Sequence, residues 1–160
     1  MKSLKIYLFV SVLLMSLTAC AGSPRASVRS AFKKMYPQAT NVDWDKKGGY
    51  YIADFRKDGQ ELDVWFDKSG RWIMTETDVE SLQLVPQPVS AAFMKSTMAS
   101  MKVEDVRIVT FPRQPAVIVI EVDAYNSDKE YQLFYSPDGA LLQTFDVTRT
   151  GGEIYPGLFE

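Results

Sequence analysis

The sequence predicts an α+β protein: a helix followed by a four-stranded antiparallel meander, the unit occurring twice and making one continuous sheet with both helices on one face. Three observations carry this. Residues 50–74, YYIADFRKDGQELDVWFDKSGRWIM, alternate apolar and polar side chains between two tight-turn signals, Asp58-Gly59 and Lys68-Ser69-Gly70. A helical stretch precedes them, and Val28, Ala31, Phe32, Lys34 and Val42 recur 61 positions on as Val89, Ala92, Phe93, Lys95 and Val103.

The elements follow in order. Ser27–Tyr36 carries Val28, Ala31, Phe32 and Met35 at helical spacing on one face, and Pro37 stops it. Strand one, Asn41–Lys46, alternates Val42 and Trp44 with Asp43 and Asp45. A two-residue Gly48-Gly49 loop pairs Lys47 with Tyr50, Trp44 with Ala53, Asp43 with Asp54 and Val42 with Phe55. The Asp58-Gly59 loop pairs Phe55 with Leu62, Asp54 with Asp63 and Ile52 with Trp65. The three-residue Lys68-Ser69-Gly70 loop pairs Phe66 with Trp72 and Trp65 with Ile73.

Three turns thus agree on one core face: Val42, Trp44, Tyr51, Ala53, Phe55, Leu62, Val64, Phe66, Trp72 and Met74, with the first helix as its cover. The opposite face gathers Asp43, Ile52, Asp54, Asp63, Trp65 and Ile73 and is expected to stay open to solvent. Asp43, Asp54 and Asp63 form a row of like charges on it, which costs stability when all are ionised.

Later in the chain the repeat offset becomes 69, mapping Phe66 and Gly70 onto Tyr135 and Gly139. The eight extra residues are expected in the Phe111–Pro115 and Asn126–Asp128 loops. The second set of strands is then Val103–Thr110, Ala116–Tyr125, Lys129–Ser136 and Ala140–Asp146. The expected organisation is residues 27–80 for the first unit, 81–88 for the linker, 89–147 for the second unit and 148–160 for a tail. In that tail Ile154, Leu158 and Phe159 are free to fold back.

The first 19 residues read as an export signal: Lys2 and Lys5 precede the apolar run Ile6–Leu17, which is too short for a bilayer span of roughly 20 residues. Leu17-Thr18-Ala19-Cys20 resembles the lipobox of bacterial lipoproteins. The resemblance implies cleavage before Cys20, a lipid on its sulfur, and residues 20–26 as lipidated cysteine and tether. The absence of Asp after Cys20 resembles the outer-membrane-directed pattern, implying attachment there, facing the periplasm. Loss of Lys2 and Lys5 from the 18 basic residues leaves 16 against 20 acidic ones, a net charge of −4, which disfavours nucleic acid as a partner. The chain has no histidine and a single cysteine. A mature chain therefore has no internal disulfide, no free thiol nucleophile, no histidine base and no zinc site of the usual ligand types.

Ala31-Phe32-Lys33-Lys34-Met35-Tyr36-Pro37, Val42-x-Trp44, Tyr51-x-Ala53-x-Phe55 and Val64-Trp65-Phe66-Asp67-x-x-Gly70-x-Trp72 together resemble the PepSY-like, beta-lactamase-inhibitor-like family of exported bacterial proteins. The resemblance is good over residues 28–90 and weak over 91–146, where the tryptophans and the Tyr-Pro helix stop are missing. It implies two tandem helix-plus-meander units and a sheet face used for binding, and it offers no catalytic residues to carry over. Fold alone does not assign function. The expectation is a non-catalytic, lipid-anchored envelope protein without a cofactor, binding another protein, an exported hydrolase or a basic peptide, through Asp43, Ile52, Asp54, Asp63, Trp65 and Ile73. The alternative is an envelope sensor taking a cation or small ligand on the Asp43/Asp54/Asp63 row. Paired carboxylates on a flat sheet lack the enclosing pocket that glycoside hydrolysis needs.

Overall fold

The computed structural model describes residues 23–160, so the export signal and Cys20 lie outside the described residues. The element order is α1 (Ala26–Met35), β1 (Asp43–Lys47), β2 (Tyr50–Lys57), β3 (Gln60–Phe66), β4 (Trp72–Asp78), α2 (Gln87–Met94), β5 (Lys102–Thr110), β6 (Val117–Asp123), β7 (Glu130–Tyr135), β8 (Leu141–Asp146) and a short 3-10 helix, Pro156–Phe159. The strands lie side by side in chain order in one eight-stranded sheet, every neighbour antiparallel. A helix followed by four strands therefore occurs twice. β4 and β5 join the halves, with Thr75 opposite Thr110, Glu76 opposite Val109 and Asp78 opposite Arg107.

The turn chemistry acts as its residues require. Gly48 and Gly49 both take positive φ, as do Asp58 and Gly59, the backbone that a two-residue hairpin loop needs. The resulting registers place Trp44 opposite Ala53, Asp43 opposite Asp54, Asp54 opposite Asp63 and Ile52 opposite Trp65. Val42 falls short of the ladder, since β1 begins at Asp43 and Asn41 turns with φ 52°.

One expectation fails at the third turn. Phe66 pairs with Trp72, but Trp65 pairs with Met74 and not with Ile73, because a β-bulge absorbs Ile73. The added residue reverses the alternation beyond it. Met74 therefore points to the Trp65 side of the sheet, away from the helix-covered face to which the uninterrupted register assigns it. The same shift recurs between Phe134 and Tyr135.

Each helix covers its own half of one face. Val28 and Phe32 of α1 pack on Tyr51, Ala53, Phe55, Leu62, Val64 and Phe66, with the Phe32 ring edge-on to Phe55 at 5.2 Å and to Trp44 at 5.3 Å. Met35, expected on the same stripe, is exposed at the helix end. Val89 and Phe93 of α2 pack on Val106, Ile118, Ile120, Val122, Leu133 and Tyr135. The turns at Gly70 and Gly139 both take φ +90° and both press on a helix start. A β-carbon would lie 2.7 Å from the Ser27 carbonyl oxygen at Gly70, and 2.5 Å from that of Pro88 at Gly139. Only glycine tolerates both the conformation and the approach.

Gly139→Ala is expected to cost about 2 kcal/mol or more, combining positive-φ strain with a backbone clash that cannot relax freely. The midpoint of urea unfolding measures it.

Candidate functional site

The second face of the sheet is buried rather than open. Ile52, Trp65, Met74, Val109, Val119 and Phe134 form a third apolar cluster, and the C-terminal tail adds Ile154 to it. Ile52 is 6% exposed and Trp65 3%, so the expected solvent-facing anchor is a core residue. The reason lies in residues 151–160. Ile154, Leu158 and Phe159 fold back over this face, and the Phe159 ring meets Phe111 at 4.9 Å and Phe134 at 5.8 Å.

The acidic row is present and longer than expected. Antiparallel register aligns Asp43, Asp54 and Asp63 across β1, β2 and β3, and the bulge brings Glu76 of β4 opposite Asp63. Asp43 is exposed at the sheet edge, Asp54 and Asp63 are half-buried, and Glu76 is 5% exposed. Trp65 Nε1 donates to Glu76 Oε1 at 2.8 Å, which satisfies the buried indole and fixes both side chains. Arg107 of β5 reaches Asp105 at 2.6 Å, Asp78 at 3.3 Å and Glu76 at 3.6 Å. Among the described residues, no basic side chain lies within ion-pair distance of Asp43, Asp54 or Asp63. Ile73 is the half-buried bulge residue beside this cluster.

Crowding of carboxylates under a low-dielectric cover raises their proton affinity. Burial pushes Glu76 up to about 7, against the pull of Arg107 and the Trp65 hydrogen bond. Burial, with the charge of Asp54 next, pushes Asp63 up to about 6. Asp54 is raised by burial and then by Glu61 and Asp43. These groups surround a cavity of about 270 Å³ whose wall includes Asp45, Lys47, Asp54, Asp63, Glu76, Arg107 and Glu153. The carboxylates outnumber the two cations, so the lining suits a cationic group. Among the described residues no group of three or more carboxylates is placed to hold a metal ion.

Of the expected surface residues, the structure brings Asp54 and Asp63 together at this cavity and buries Ile52 and Trp65 in its wall. The expectation missed Glu76 and Arg107. The one available signal was the Lys68-Ser69-Gly70 turn, and a bulge three residues past it is invisible to alternation.

A family model described as "Putative beta-lactamase-inhibitor-like, PepSY-like" matches residues 49–143. The chain belongs to that family. Solved structures agree over nearly their whole lengths. A DUF2874 family protein from Bacteroides ovatus is 42% identical with a TM-score of 0.83, the match covering 86% of this chain and 98% of that one. A BLIP-like protein from Bacteroides fragilis is 38% identical with a TM-score of 0.78, over 84% of this chain and 94% of that one. A protein from Bacteroides eggerthii described as "putative periplasmic" is 35% identical with a TM-score of 0.79, over 82% and 94%. No curated protein matches. No helix among the described residues is long and apolar enough to cross a membrane.

The raised carboxylates set a pH dependence. An acid whose folded pKa lies above its unfolded value destabilises the fold as pH rises from the unfolded value, near 4, to the folded one, here about 6 for Asp63 and 7 for Glu76. The melting temperature is expected to fall between pH 5 and pH 8. Asp63→Asn should flatten that fall and stabilise the protein at pH 8 by on the order of 1–2 kcal/mol. Calorimetry of both proteins across this range checks it.

Proposed function

We propose that this protein is a non-catalytic, lipid-anchored component of the bacterial cell envelope that binds another protein in the manner of an inhibitor, by way of the acidic side of its second face. The observation that carries the reading is the pair of facing carboxylates, Asp54 and Asp63, held half-buried in a net-acidic cavity wall without an ion pair of their own, the pull of Arg107 on Asp63 being outweighed by burial and the neighbouring acids. Like charges so placed are stable only at a cost, and a lysine or arginine from a partner relieves it. A basic segment of an exported hydrolase has that chemistry. The inhibitor-like family and the BLIP-like neighbour support protein binding as the class of function. The periplasmic description of one neighbour supports an envelope location. The absence of histidine from the sequence and the confinement of its one cysteine to Cys20 argue against thiol-based or histidine-based catalysis. The Leu17–Cys20 motif supports an anchor, with the outer membrane as its site.

Affinity capture from a periplasmic fraction tests the binding reading. The Asp54→Asn/Asp63→Asn protein, shown by circular dichroism to be folded, should recover the principal partner at least about tenfold less than wild type. Equal recovery of every protein by both would overturn it. Cells fed radioactive palmitate should label the wild-type chain and not Cys20→Ser; label persisting in the variant removes the anchor.

A further inference from the structure

The tail lies in a trough, and the geometry of two successive residues shows it. Gln132 Nε2 on β7 donates to the Gly152 carbonyl at 2.5 Å, while the next residue, Glu153, pairs with Lys47 at the end of β1. In a flat sheet β1 and β7 stand six strand spacings apart, roughly 29 Å, more than one residue step and the three extended side chains of Lys47, Glu153 and Gln132 can span. The sheet therefore curls around residues 151–160, and its second face is concave there.

The tail fills this trough in a way unlike the helices on the other face. Among the described residues its backbone pairs with no strand. Its backbone N–H bonds run from Gly151 to Val147 and, within the 3-10 turn, from Leu158 to Tyr155. It is held by side chains: Ile154 in the apolar cluster, Phe159 against Phe111 and Phe134, and the Gln132 and Lys47 contacts. Three solvent-open clefts, of about 350, 570 and 330 Å³, border it beside Leu158, Phe159 and Tyr155. Glu153 pairs with Lys47, yet it adds a carboxylate to a wall that stays net acidic, with Asp45, Asp54, Asp63, Glu76 and Glu153 against Lys47 and Arg107.

We propose that Gly151–Glu160 is a displaceable strap occupying a peptide-docking trough. The trough takes an extended segment of another protein with an aliphatic residue in place of Ile154, an aromatic in place of Phe159 and a basic residue in place of Glu153. The inference rests on the protein-binding reading above and names what the bound segment looks like. Local release of a segment held by few buried contacts requires no unfolding of the two helix-covered cores.

The test compares the full mature chain carrying Cys20→Ser with the same chain ending at Thr150. The probes are the dye ANS and synthetic peptides of residues 151–160, one native and one with Glu153→Lys. The shortened chain should stay folded and show several-fold higher ANS fluorescence. Both peptides should reverse this saturably, Glu153→Lys at severalfold lower concentration, while the full chain should bind little dye and should take the Glu153→Lys peptide only at higher concentration than the shortened chain does. ANS fluorescence equal to that of the full chain, or a native peptide that competes as well as the lysine peptide, would overturn the proposal. If the shortened chain does not fold, hydrogen exchange of the full chain decides. A Leu158 amide exchanging at least tenfold faster than that of Ile120 supports a strap, and equal rates overturn it. Undiminished capture by the Asp54/Asp63 variant would remove the acidic-row reading and leave the strap standing; an inseparable tail would do the reverse.

Discussion

The hydrogen-bond ladder between β4 and β5 is the interaction on which the rest depends. Without it the chain is two four-stranded sheets, each with one helix and two raw edges, and neither buries enough apolar surface to be secure. With it, Thr75 meets Thr110 and Asp78 meets Arg107, and the eight strands become one surface that curls. The same seam delivers Arg107 to Glu76 and Asp78, so the half-buried acids are partly neutralised from the other half of the molecule.

A curled sheet has two faces with different demands. The outer one is sealed by α1 and α2, which bring Val28, Phe32, Val89 and Phe93 to the pattern of strand residues beneath them. The inner one is apolar at its centre and acidic on one flank, and its cover is ten residues of tail with little secondary structure. A helical cover on one side and a short irregular one on the other suggest a division between what holds the fold and what meets a partner. The family's inhibitor-like description fits that division.

Electrostatics follow from the same shape. Four carboxylates in register, one of them nearly out of solvent, are affordable because Trp65 and Arg107 engage the most buried member. Asp54 and Asp63 form no ion pair among the described residues, and burial with the neighbouring acids raises the proton affinity of both. Natural domains keep such conflicts mainly where function requires them.

Much of this was legible in residue order. Glycine placement set the turn types, turn types set the β1–β2 and β2–β3 registers, and alternation then separated Tyr51, Ala53, Phe55 and Val64 from Ile52, Asp54, Asp63 and Trp65. The 61-residue recurrence announced a second helix and four more strands, and these occur close to the expected limits. Those features are local, because each depends on a few neighbouring dihedrals and a period of two. What only the tertiary structure decided is longer in range. The bulge at Ile73 turned Met74 and Glu76 toward Trp65, the curl of eight strands made a trough of a face expected to be flat, and the tail roofed it. Exposure is a property of what lies above a side chain. For Trp65 and Ile52 that cover comes from Ile154 and its neighbours, about ninety and a hundred residues further along the chain, a distance that no local pattern spans.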